Sequence, residues 1–157
     1  MTTTTREPLP AKLDDANSLS VLLRMALHDL RECERDPFYV INMGVYSMLS
    51  PDGTRCEVCL AGAVLAKRNK IHLCERDKFA GNIPGTVSER MIVIDFLRRG
   101  DVDFAWRKMV CLPGVSLAPL PKWADMGGYR VKDYHKEPER FKSDIERLIA
   151  KLEESGL

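Results

Sequence analysis

The sequence predicts a mainly α-helical protein: a compact bundle of about five helices, a minor extended segment and a long loop in the C-terminal half. Three observations carry that expectation. Apolar residues recur at helical spacing in five stretches, helix-capping signals precede most of them, and one Pro- and Gly-rich stretch interrupts the pattern. At 157 residues, a single domain over 1–157 can bury a real hydrophobic core. Neither an internal repeat nor a domain boundary is visible.

The first helix starts near Ser18, where Asn17 can act as cap. Leu19, Leu22, Leu23, Ala26, Leu30 and Cys33 share one face, and Asp36-Pro37 ends it. Residues 1–16 lack periodicity and are expected to form a flexible, loosely docked arm. Phe38 to Leu49 is rich in β-branched and aromatic residues, so an extended segment or a short strand pair with a bend at Gly44 is expected. Ser50-Pro51-Asp52-Gly53 is a turn.

Thr54-Arg55-Cys56-Glu57 has the form of a capping box, which predicts a helix from there to about Arg68 with Cys56 in its first turn. Its small residues Cys59, Gly62, Ala63 and Ala66 would let a neighbouring element approach closely. Thr86 to Glu89 repeats the box and opens a helix that Gly100 stops. Asp101 then caps the next, whose face is Val102, Ala105, Trp106 and Met109. The last helix starts at Pro138 and ends at Gly156. Between them, residues 112–134 form the long loop, and Leu112, Leu120 and Trp123 argue that it is ordered. Loops of that length in a small domain are usually functional.

Charge and composition narrow the function classes. Lys plus Arg number 24 and Asp plus Glu 23, for a net charge of +1, which excludes nucleic-acid binding through bulk charge. No apolar run approaches the roughly 20 residues that span a bilayer, and no secretory signal precedes the first helix. The expected compartment is the cytoplasm, where the five cysteines stay free thiols.

Those cysteines allow three readings. Cys56 and Cys59 at a helix start could be a redox pair, since the helix N-terminus favours a thiolate. With His72 and Cys74 they could hold zinc, although the chain would have to fold back sharply from Lys70 after the intervening helix to return His72 to Cys56. Or Cys33, Cys59 and Cys111 are core, the common fate of free Cys. The third is the expectation, with no metal and no cofactor. His28, His72 and His135 sit in unrelated settings, and nothing resembles a nucleophile–base motif, so a non-enzymatic protein is expected. Basic clusters at Lys67–Lys78 and Arg98–Lys108 are interleaved with acidic residues; such a surface can still hold a small anion.

Ile41-Asn42-Met43-Gly44-Val45-Tyr46, then Cys56-Glu57-Val58-Cys59-Leu60-Ala61-Gly62-Ala63, resembles small uncharacterised phage and prophage proteins. In those, an Asn/Asp-Met-Gly-x-Trp/Tyr segment precedes a Cys-x-x-Cys-Leu/Ile-Ala-Gly helix. The stretch Asp95 to Val102 is similar as well, and residues beyond 110 have no counterpart. The resemblance implies an accessory gene product of a mobile element, which would act by binding. It could inhibit a host protein or sequester a small anionic signalling molecule. The expected surface combines Asn42, Met43 and Tyr46 with the loop residues Trp123, Tyr129 and Arg130, because interface anchors favour aromatics and Arg.

Overall fold

The computed structural model describes residues 7–70, 85–111, 120–125 and 130–157. The described chain is mainly α-helical with a small three-stranded sheet. Its elements are α1 (Leu19–Arg35), β1 (Tyr39–Ile41), β2 (Ser47–Leu49), β3 (Cys56–Val58), α2 (Leu60–Arg68), α3 (Gly85–Arg98), α4 (Val102–Met109), the short α5 (Lys122–Asp125) and α6 (Pro138–Glu154). No helix among the described residues is long and apolar enough to cross a membrane.

Helix α1 packs against both α2 and α6, α2 against α3, and α3 against α4. Every residue from Leu60 to Ala66 in α2 is buried, which makes it the centre of the core. The same core holds Leu22, Leu23, Leu30, Ile94, Leu97 and Phe141, none more than 2% exposed. Burying each such side chain stabilises the fold by about 1.5–3 kcal/mol against exposure.

The helix ends follow local chemistry. Ser18, one residue later than expected, caps α1 by accepting from the Val21 N–H. Gly100 closes α3 in the left-handed region, with φ +81°. Asp101 accepts from the Phe104 N–H at 3.1 Å and opens α4. Asp101→Ala should lower stability by about 1 kcal/mol, read as a small shift of the urea midpoint with an unchanged slope.

The N-terminal arm is docked where it is described. Leu13 and Ala16 are buried in the core, in and beside a short 3-10 turn at Leu13–Asp15. The buried Arg90 guanidinium donates to the carbonyls of both Leu13 and Ala16, and Arg68 donates to the Pro10 carbonyl. Two side-chain cations thus bind backbone carbonyls of the arm, and that docks a segment without sequence periodicity. Only residues 7–16 of the arm are described.

The Thr54 capping box is also overturned. Thr54 gives both its N–H and its hydroxyl to Asp52 Oδ1, at 3.1 and 2.8 Å, so it closes the turn instead of capping a helix. Cys56–Val58 then runs on as β3, and the helix starts at Leu60, five residues later than a Thr54 cap predicts. Its cap is Cys59, whose Sγ accepts from the Gly62 N–H at 3.4 Å.

Strand order is β1-β3-β2, with β1 parallel and β2 antiparallel to β3. The register pairs Tyr39 with Cys56 and Leu49 with Cys56 from opposite sides. Because β3 lies between its sequence predecessors, residues 42–46 must arch over the end of β3 across two strand spacings, roughly 10 Å. The expected bend at Gly44 is this arch.

Candidate functional site

The arch is held at both feet. Asn42 N–H donates to the Val58 carbonyl at 2.8 Å, and Cys59 N–H to the Tyr46 carbonyl at 3.2 Å. The Asn42 side chain donates from Nδ2 to Glu57 Oε2 and accepts from the Gly44 N–H, both at 2.9 Å. At the apex, the Met43 peptide is gripped from two distant parts of the chain. Its N–H donates to His135 Nε2 at 3.0 Å, and its carbonyl accepts from Arg98 Nη2 at 2.9 Å. Since Nε2 is the acceptor, the neutral His135 ring carries its proton on Nδ1 and retains a donor there.

These contacts close one wall of a cleft of about 410 Å3, within the range of small-ligand sites. Met43 and Gly44 form that wall, Arg98 and Arg99 the end of α3, and residues 131–135 with Phe141 the opposite side. Arg98 is mostly buried, and Asp95 takes its Nε at 2.8 Å. Arg99 donates from Nη2 to Asp95 Oδ2 at 2.8 Å, and its guanidinium lies 5.8 Å over the Phe96 ring. An exposed arginine is thereby fixed in direction before any ligand arrives. Lys132 is exposed, and its ammonium has no carboxylate partner among the described residues. The lining cations outnumber Asp133, the lining carboxylate.

Asp144 fixes the far wall. Its carboxylate accepts from the Lys132 N–H at 3.0 Å and from the guanidiniums of Arg140 and Arg147. Burial pushes this carboxyl up, but the Lys132 N–H and the two guanidiniums together pull it below the ordinary Asp range. A carboxyl depressed in the folded state adds stability that is complete above its unfolded value and lost as pH falls through the folded one. Asp144→Asn should therefore cost about 1.5–3 kcal/mol near neutral pH. Urea titrations should show the gap to wild type narrowing below about pH 4; a gap independent of pH would contradict the assignment.

The predicted site residues divide. Met43 lines the cleft, and Asn42 shapes it from behind. Tyr46 is half-buried beside Asp95 and Arg98, where burial and then the Asp95 charge push its phenol up to about 12. Trp123 lies elsewhere: it packs on the core with Lys151 Nζ 5.3 Å from its ring centre. Lys151 is ten residues beyond Phe141 on α6, about 15 Å along the helix, so Trp123 is no anchor of this cleft. Arg130 is exposed, next to the wall but not part of it, and Tyr129 lies outside the described residues. The sequence pattern gave no role to His135, which stood only as one of three unrelated histidines, and none to Lys132. Arg98 and Arg99 were visible only as members of a mixed cluster.

The cysteines resolve in part. Cys56 is buried in β3, with its Sγ 3.5 Å from Ser47 Oγ. Cys59 is buried at the start of α2, where burial pushes its thiol up, the opposite of the activation a redox nucleophile needs. His72 and Cys74 lie outside the described residues. A second groove of about 470 Å3 between α1 and α6 contains Arg24, His28, Arg31 and Arg35. Its cations are matched by carboxylates, Arg31 with Glu146 at 2.5 Å and Arg35 with Glu32 at 2.8 Å. His28 there donates to the buried Asp29 at 2.9 Å.

No family model, curated protein or solved structure matches the chain.

Proposed function

We propose that the protein is a non-enzymatic binding protein that sequesters a small anionic signalling molecule in the cleft beneath the 42–46 arch. The observation that carries this reading is the cleft itself: a concave site with Arg98, Arg99 and Lys132 beside apolar Met43, Val131 and Phe141. Convergent donors over an apolar lining suit a small amphipathic anion. The arch is also the Asn42-Met43-Gly44 segment in which the chain resembles phage proteins, so an accessory or counter-defence role in a host cytoplasm fits the same residues. Helices α1, α2, α3 and α6 read as a compact bundle supporting that site. Inhibition of a host protein is the weaker reading, because the cleft is concave and Trp123 is not among its lining residues.

The test is mass analysis of small molecules retained by the full chain purified from host cells. A retained anion is expected, and Arg99→Glu with Lys132→Glu should abolish its retention. Retention of nothing, together with stoichiometric capture of a host protein, would refute sequestration.

A further inference from the structure

The geometry points to a phosphate monoester as the ligand of this cleft, with Arg99, Lys132 and His135 Nδ1 donating to its oxygens and Arg98 acting as a positioning residue. The inference rests on the binding reading above and goes beyond it in naming the ligand class and the role of each donor.

Arg98 is already committed. Its Nε and Nη2 meet Asp95, and Nη2 also meets the Met43 carbonyl, so it shapes the wall. Arg99 has one nitrogen on Asp95, lies over the Phe96 ring and is still 58% exposed. Lys132 and His135 line the cleft from the opposite segment, and with Nε2 accepting from Met43 the His135 ring keeps Nδ1 as its donor. Donors thus approach from the end of α3 and from two positions of the 131–135 wall. A phosphate presents three terminal oxygens to such a set, whereas a carboxylate presents two in one plane.

Charge sets the number of phosphates. Arg98, Arg99 and Lys132 exceed Asp95 and Asp133 by a single charge. That surplus with one neutral N–H donor suits one phosphate and leaves a polyphosphate largely uncompensated. The remaining lining, Met43, Val131, Tyr134 and Phe141, offers an apolar face to the body of the ester. A volume of about 410 Å3 admits a body up to the size of a nucleoside.

The experiment is an NMR titration of the full chain with adenosine 5′-monophosphate, adenosine and adenosine triphosphate as probes. The monophosphate should give saturable shifts at Met43, Gly44 and residues 131–135, and adenosine none. The triphosphate should bind no tighter than the monophosphate. Arg99→Ala and Lys132→Ala should each weaken monophosphate binding about tenfold, the loss of about 1.4 kcal/mol, while Arg35→Ala in the α1–α6 groove leaves it unchanged. Equal affinity for adenosine, tighter binding of the triphosphate, insensitivity to both variants, or no shifts with any probe would each overturn the assignment. If the purified chain instead retains an anion without phosphorus, the binding reading stands and the phosphate assignment falls. If it retains nothing and no probe binds, both fall.

Discussion

Gly62→Ala is expected to be the most damaging single-methyl change in the protein. A Cβ at this position would lie 1.3 Å from the Tyr46 carbonyl oxygen and 2.4 Å from its carbon. Both are backbone atoms at the foot of the arch, and the same oxygen accepts from the Cys59 N–H. No rotamer relieves such an overlap, so α2 or the arch must move. Overpacking of ordinary side chains costs about 1–3 kcal/mol, and a backbone clash should reach or exceed the upper figure. For a domain of this size, about 3 kcal/mol lowers Tm by roughly 6–12 °C. Gly53→Ala is the control. Gly53 has φ +71° and nothing near its would-be Cβ, so only the left-handed backbone opposes it, at about 1–2 kcal/mol. Thermal unfolding of the two variants should therefore differ clearly. Equal shifts would mean that the arch does not press on α2. Because that foot also anchors the Met43 wall, Gly62→Ala should lose ligand retention even below its melting temperature.

Arg68→Met is the second large effect. Arg68 binds Asp29 through two nitrogens, Nε to Oδ2 at 2.8 Å and Nη2 to Oδ1 at 3.1 Å. The side chains are 12% and 4% exposed. Removing the guanidinium strands a buried carboxylate and leaves the Pro10 carbonyl without its donor. Breaking a buried pair from one side costs about 3–5 kcal/mol, whereas replacing both partners with apolar groups is often neutral or stabilising. The double variant Asp29→Leu with Arg68→Met should accordingly recover most of the loss in a urea denaturation cycle. Its failure to recover would place the energy in the Pro10 contact instead of the ion pair. The single variant should also be acid-sensitive in a defined direction. Burial pushes the Asp29 carboxyl up even with the His28 and Arg68 contacts in place, and losing Arg68 moves it further the same way. A folded-state carboxyl titrating above its unfolded value favours the folded state as pH falls. The penalty for Arg68→Met should thus shrink on acidification from neutral pH towards about pH 4.

Both effects show where local pattern was a sufficient guide and where it was not. The small-residue stripe of Gly62, Ala63 and Ala66 announced a close approach, and the approach is there. What approaches, a strand foot sixteen residues earlier in the chain, had no local sign. Asp101, Gly100 and Pro138 act at helix ends as their chemistry dictates, because a cap depends on three or four consecutive residues. Thr54 and Glu57 carry the same local signature as a cap, yet Asp52 competes for the Thr54 donors and β1 and β2 compete for the Cys56–Val58 backbone. Asp52 lies just outside the four-residue box and the strand partners lie further off in the chain, so the box alone could not decide between them. Leu13 reads as unpatterned because its partner cation, Arg90, is 77 residues away.

The chain's own sequence determined that this is a mainly helical protein with an extended segment near Gly44, a small-residue helix that something must touch, and near-balanced charge. Apolar period, caps and turn residues act within a few positions, and that is the range over which they can be read. Tertiary structure alone decided the sheet order, the docking of the arm and the cleft. Met43 meets His135 and Arg98 across 92 and 55 residues, and the peptide bond they grip is common to every residue and leaves no mark in a sequence.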